Sequence, residues 1–325
     1  MKSLDSILYV VEDPAIESVS SFARALSLAG NNQARLTVLH VAEEPRLGPF
    51  SSRVRIEDVM SSQKQQALEQ LQSLARGLAS HTDIRFDIRF GIRFIEIIRH
   101  VLRERHDLLI KSVGDGGPHS FLFGGTDQHL LRKCPCPVWI MAGETRANYR
   151  NVLAAVDFDP WAEDNLQRGI ETSLNDRIVG LAASFAASDF AQLHLIHAWQ
   201  PITDNMIRVF GSDISDSEAS SNRRSELLEH QHQLDMLQRR LQQQLGAEAY
   251  RYLSPYFHLR QGNPRDIITT MVDELGVDLV VMGTVSRTGI PGLLIGNTAE
   301  VILNNLECSV LAVKPDDFIS PVTIE

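Results

Sequence analysis

The chain lacks most features that would give it an obvious chemistry. Its 325 residues hold three cysteines, Cys134, Cys136 and Cys308. An odd count without framework spacing excludes a disulfide scaffold and fits reduced thiols in a cytoplasmic protein. No apolar run approaches the roughly 18 residues of a membrane span. The opening MKSLDSILYVVEDP has a short apolar run, but Asp5 interrupts it and Glu12, Asp13 and Pro14 end it. It reads as a first strand and not as a signal peptide. Positive charge is scarce: 31 Lys and Arg stand against 41 Asp and Glu, a net charge of −10. The pI near 5.6 disfavours nucleic-acid backbones and anionic membranes as partners. There is no Gly-x-Ser-x-Gly elbow and no Gly-x4-Gly-Lys-Ser/Thr loop, so no nucleophile or P-loop chemistry is indicated. Cys134-Pro135-Cys136 is C-x-C without a second pair nearby. His119 and His129 have no fixed relation to it, so it reads as structural and not as a metal site.

What is present is an ordinary globular balance, 43% hydrophobic and 22% charged, in a length that suits two domains. Strands are expected at Ile7–Val11, Arg35–Val41, Ile84–Phe90, Leu108–Val113 and Val138–Met141. A helix follows the first strand, with Asp13-Pro14 as its cap and Gly30 as its stop. An excursion at Glu43–Ser52 leads to an amphipathic helix with Leu68, Leu71, Leu74, Ala75 and Leu78 on its apolar face. Gly143–Tyr149 reads as a linker, and the pattern then restarts. Strands are expected at Val152–Val156, Leu193–Trp199, Tyr256–Arg260, Leu279–Met282 and Val310–Val313. Asp159-Pro160 caps the next helix. A Ser- and Asp-rich excursion, Thr203–Ser221, precedes a Gln-rich helix with Leu227, Leu234, Leu237, Leu241 and Leu245 as its stripe. His230 and His232, two apart on that helix, cannot share a face and read as solvated.

The two halves are copies. Phe86 and Phe257, Arg89 and Arg260, Gly91 and Gly262, Ile97 and Ile268, and Asp107 and Asp278 all lie 171 residues apart, and Cys136 and Cys308 lie 172 apart. A period this long means two complete domains and not a solenoid. Alternating strands and helices imply an α/β fold: two tandem, doubly wound, parallel five-stranded sheets. The expected units are residues 1–143 and 150–315, with a tail at 316–325. Ligands of such sheets sit beyond the carboxyl ends of the strands, at the switch point between the first and fourth.

At that place in the second half stands VMGTVSRTGIPGLLIGNTAE, residues 281–300. A strand, a glycine loop and a helix N-terminus form a phosphate-binding geometry. Glycines admit close approach of backbone N–H groups, and the first helical N–H groups lack intrahelical partners. Asn297 and Glu300 have capping-box spacing, and Arg287 could add charge. The bland alternative is the βα loop of any α/β domain. The pattern Gly283-x2-Ser286-x9-Gly296-Asn297 resembles the universal stress protein loop, Gly-x2-Gly-x9-Gly-Ser/Thr. Ser286 stands for the second Gly and Asn297 for the Ser/Thr, with Thr298 as a candidate for the missing hydroxyl. With HLLRKCPCPVW (129–139), His197-Ala198-Trp199 and GNTAE, nearly the whole chain resembles a tandem universal stress protein of the UspE type.

The resemblance implies ATP or a related adenine nucleotide in the second half. Asp157 would lie near the adenine, Ala198 would offer its backbone to the base, and Gly262 would lie near the ribose and phosphates. Gly283, Ser286, Arg287, Gly296, Asn297 and Thr298 would form the phosphate loop. Each has a plainer reading: Asp157 as a helix N-terminal carboxylate, Gly262 as a turn before the helical Pro264, and Trp199 as a core aromatic rather than a stacking surface. The first half departs from the pattern. Lys111 replaces Met282, Ser112 replaces Gly283, and residues 112–127 lose the spacing. Lys111 is expected either to pair with Glu12, in a half that binds no nucleotide, or to snorkel to solvent. No catalytic constellation appears, so hydrolysis is expected to be slow or absent. The resemblance further implies that the fifth strands pair the halves as a pseudo-dimer, two chains then associating as a homodimer. The competing expectation is a scaffold that binds a protein or a small apolar ligand and no nucleotide.

Overall fold

The computed structural model describes residues 4–45, 55–78, 83–113, 124–142, 148–161, 164–202, 215–284 and 296–324. The first half runs β1 (Ser6–Val11), α1 (Val19–Asn32), β2 (Arg35–Ala42), α2 (Ile56–Ala75), β3 (Ile84–Phe90), α3 (Arg93–Glu104), β4 (Leu108–Ser112), α4 (Gly125–Lys133) and β5 (Val138–Met141). The second runs β6 (Asn151–Val156), α5 (Asn165–Asp189), β7 (Gln192–Trp199), α6 (Asp216–Leu253), β8 (Tyr256–Gln261), α7 (Pro264–Leu275), β9 (Leu279–Gly283), α8 (Asn297–Asn305) and β10 (Ser309–Val313). α6 breaks at Gly246, whose φ of 78° interrupts the helix.

The strands form one sheet in the order β3-β2-β1-β4-β5-β10-β9-β6-β7-β8. Within each half every pairing is parallel. The halves meet where β5 and β10 pair antiparallel, Leu311 opposite Trp139. The two expected five-stranded sheets are thus joined edge to edge into ten strands. Central strands such as SILYVV are buried along their whole length, because helices cover both faces. The edge strand β3 alternates instead, Ile84, Phe86 and Ile88 packing on the α2 side and Arg85 and Asp87 meeting Glu104 and the buried His100 of α3.

Two cores lie on the two faces, and each runs through both halves. One packs α1, α2, α5 and α6 through Phe22, Leu71, Ile178 and Leu234. The other packs α3, α4, α7 and α8 through Ile97, Leu130, Ile268 and Ile302. At the junction Trp139 meets Phe185 at 4.8 Å and donates to Tyr149 Oη at 3.2 Å. Tyr149, expected at the end of a linker, is buried there. Arg24 lies 3.7 Å from the Tyr149 ring and pairs with Asp189 across the halves.

The helix starts differ from expectation. α1 is capped by Ser18 and α5 by Asp164. Asp13 and Asp159 instead close turns one step earlier, accepting from Ala15 N and Trp161 N. α1 passes Gly30 and ends with Gln33 in the left-handed region. α8 is capped by Gly296 without a side-chain bond, so Asn297 and Glu300 form no capping box; Glu300 pairs with Arg132 of the first half. Among the described residues no helix is long and apolar enough to cross a membrane.

Candidate functional site

A cavity of about 390 Å³ opens at the carboxyl end of the second half, between β6 and β9. Small residues make the room: Ala155 on β6, Ala198 on β7 and Gly283 on β9. Leu174, Ile178, Ile268 and Met282 give it an apolar floor, and Asp157 and Glu171 stand at its side. Gly296, Asn297 and Thr298 close the far wall. Among the described residues no side chain caps α8, which leaves its first N–H groups suited to an anion. A Cβ on Gly283 would come within 3.1 Å of Leu174, so a larger residue there would narrow the cavity.

Six of the expected residues therefore meet at one place: Asp157, Ala198, Gly283, Gly296, Asn297 and Thr298. Gly262 does not line the cavity. Its φ of 151° makes the turn into α7, and a Cβ would strike Ile267 at 2.9 Å, so the turn reading holds. Ser286 and Arg287 lie outside the described residues. Sequence reasoning missed Asn175, which is buried at the cavity wall. Its side chain accepts from Asp157 N at 3.2 Å and donates to Asp157 O at 2.7 Å. This grip fixes the backbone that carries Asp157. Its sequence signal is a polar residue on the inner face of a helix, visible only once α5 is placed.

The first half places charge at the position equivalent to Met282. Lys111 faces Val10 across β4 and β1, as Met282 faces Ala155 across β9 and β6. Lys111 Nζ lies 2.9 Å from Glu12 Oε2 and 3.0 Å from Asp127 Oδ1. Arg93 holds the other oxygen of Glu12 at 2.8 Å. Ser112 Oγ donates to Glu17 Oε1 at 2.6 Å, and Tyr9 Oη donates to the same oxygen at 2.7 Å. Burial alone would lower the Lys111 pKa, but Asp127 and Glu12 outweigh it and raise it. Burial would raise Glu12, but Lys111 and Arg93 bring it below the usual carboxylate range. Burial wins at Asp127, which is raised in spite of Lys111. The Lys111–Glu12 pair was legible; Asp127, brought in by α4, was not.

His230 is buried, contrary to the solvated reading. Its Nδ1 lies 2.9 Å from His197 Nε2, beneath Trp161 and Trp199. The inner stripe of α6 is Glu226, His230, Leu234, Leu237 and Leu241, while Leu227 is 43% exposed. Trp199 is buried, in keeping with the core reading. Among the described residues no group of three or more His, Cys, Asp or Glu could hold a metal.

The sequence pattern of the Universal stress protein family matches residues 4–142 and 148–314. Universal stress protein E of Escherichia coli K12 is 30% identical over 234 residues, 71% of this chain and 68% of that protein. The Haemophilus influenzae homolog is 29% identical over 220 residues, 67% of this chain and 65% of that protein. A functionally unknown protein from Pseudomonas aeruginosa PAO1 superposes with a TM-score of 0.64 at 26% identity, covering 97% of this chain and 94% of its own. A universal stress protein from Archaeoglobus fulgidus shares the fold at a TM-score of 0.58 and 18% identity, covering 96% of this chain and 99% of its own. With both halves matched by one family pattern and the same doubly wound order in each, the chain belongs to the universal stress protein family, in its tandem two-domain form.

Proposed function

We propose that this is a cytoplasmic stress-response protein whose second half binds ATP or a related adenine nucleotide as a regulatory ligand. Residues 1–143 are taken as a unit without a nucleotide, 150–315 as the binding unit and 316–325 as a tail. The supporting observation is the cavity that gathers Asp157, Ala198, Gly283, Gly296, Asn297 and Thr298 at the switch point. The apolar floor suits a purine. Asp157 can accept from its amino group or from a ribose hydroxyl. The uncapped N-terminus of α8 suits a phosphate.

Occupancy would act on the first half through the loop ends. Gly296 N donates to Thr284 O at 3.1 Å, and Thr284 Oγ1 reaches Leu131 O of α4 at 3.3 Å. A ligand that favours one arrangement of this link shifts the balance between states that a partner could read.

Calorimetry with ATP tests the reading. Wild type should give heat with about one nucleotide per chain, and Gly296→Trp should give none. Two nucleotides per chain would contradict the assignment of the first half.

A second reading has an observation of its own. The described residues that line the cavity include two carboxylates and no Lys or Arg. That lining also suits a scaffold with a small apolar ligand. Heat with an apolar probe, and none with ATP in wild type, would favour it.

A further inference from the structure

Cys134 and Cys136 meet at the junction of the halves. Cys134 ends α4, its N–H donating to Leu130 O, and Cys136 leads into β5. The turn between them sets the two sulfurs 3.6 Å apart. Both are free thiols in the core shared by α3, α4, α7 and α8.

Lys314 enters the same place from the other half, directly after β10, and is 1% exposed. Its Nζ donates to Leu131 O at 2.6 Å and to Thr284 Oγ1 at 3.5 Å, and lies 5.2 Å from the Phe318 ring. Among the described residues no carboxylate pairs with it. The carbonyl end of α4 offsets part of its charge. A buried ammonium still needs a counter-charge, and the thiols at the end of α4, whose Leu131 O it binds, act on its charge. The shifts agree. Burial alone would raise the Cys134 thiol, but the Cys136 hydrogen bond and Lys314 bring it below its ordinary value. Burial pushes Lys314 down to about 8, with the two thiols pulling the other way.

We propose that Cys134 and Cys136 form a dithiol modification site between the halves, in which a Cys134 thiolate, balanced by Lys314, is oxidised by hydrogen peroxide to a Cys134–Cys136 disulfide. The thiolate attacks one peroxide oxygen and the O–O bond breaks. This leaves Cys134 as a sulfenic acid, and the departing hydroxide takes a proton from Lys314 to become water. The Cys136 sulfur then attacks the sulfenic sulfur. The S–S bond forms, the S–O bond breaks, and the hydroxide leaves with the Cys136 proton as a second water. Two thiols are oxidised by two electrons and one peroxide is reduced. Because Lys314 gives up its proton as the thiolate is consumed, the buried site stays neutral at both ends of the reaction. The sulfurs close from 3.6 Å to about 2.05 Å. Burial of both thiols selects a small oxidant over a protein disulfide. The product leaves Lys314 as a neutral amine, a weaker donor to Leu131 O, which loosens the contact between α4 and Thr284.

The experiment is oxidation of the full chain by hydrogen peroxide, followed by denaturation, alkylation and peptide mass spectrometry. The peptide holding Cys134 and Cys136 should lose two hydrogens, while Cys308, whose thiol burial pushes up to about 12, stays alkylatable. Lys314→Met should slow the loss about tenfold or more, through the lost thiolate fraction. An unchanged rate, or Cys308 reacting in step with the pair, would overturn the proposal. Should Lys314→Met not fold, Cys136→Ser decides: dimedone should then capture a sulfenic acid on Cys134, and no adduct at that residue overturns it.

Discussion

Lys111 and Asp127 face each other at 3.0 Å with their side chains only 3% and 4% exposed. A buried pair of this kind is costly to break by halves, because the survivor keeps its charge without a partner. Lys111→Met should cost about 3–5 kcal/mol, read as a shift of the urea midpoint. Lys111→Met with Asp127→Asn should recover most of that loss. A single variant as stable as wild type would show that the pair is not desolvated.

Arg24 and Asp189 tie α1 to the end of α5 across the junction, and Asp189 also accepts from Tyr149 N at 2.9 Å. Arg24→Met strands that carboxylate and removes the cation from the Tyr149 ring. A loss of about 3–5 kcal/mol is expected. With the seam weakened in this variant, Trp139 fluorescence should change before far-UV circular dichroism as urea rises. Coincident transitions would refute the second part.

Acid should destabilise the protein from about pH 6.5 downward. Burial, and then the neighbouring His100, push His106 down to about 3. Its Nδ1 lies 2.8 Å from Ser6 Oγ and its Nε2 lies 2.9 Å from His100 Nδ1. Below its ordinary value near 6.5 the unfolded chain takes up a proton that the folded chain refuses, so stability falls as pH falls. Asp87 acts in the same direction at lower pH. Burial would raise it, but His100 and Arg89 hold it at about 2, so its contribution fades as pH drops from the usual carboxylate value toward that point. His106→Asn should flatten the stability profile between pH 6 and 4 by about 1.4 kcal/mol per pH unit. An unchanged slope by urea titration would rule His106 out.

Asn175→Ala removes both of its part-buried bonds to the Asp157 backbone. About 1–3 kcal/mol of stability should be lost. ATP affinity, by calorimetry, should fall about tenfold, the equivalent of about 1.4 kcal/mol. Loss of stability with unchanged affinity would separate Asn175 from the ligand.

The fold was legible because its signals are periodic and doubled. The glycines, strands and repeated residues at one spacing fix two copies of one sheet, and Lys111 announced itself as a charge in an apolar strand. The helix caps were misplaced because Asp13-Pro14 and Asp159-Pro160 carry the chemistry of a cap and of an Asx turn equally. Only the path of the chain selects the turn. His230 escaped because its partner, His197, is distant in sequence and on another element. Asn175 and Asp127 escaped for the same reason: each joins its site from a helix whose rotation no local pattern specifies.

The antiparallel contact between β5 and β10 has a consequence for inheritance. In a dimer of identical chains every substitution appears twice, so one copy cannot gain a lysine while the other keeps its methionine. Here the partners are written one after the other on a single polypeptide, each half free to change alone. Position 111 could therefore become a charge while position 282 remained a methionine.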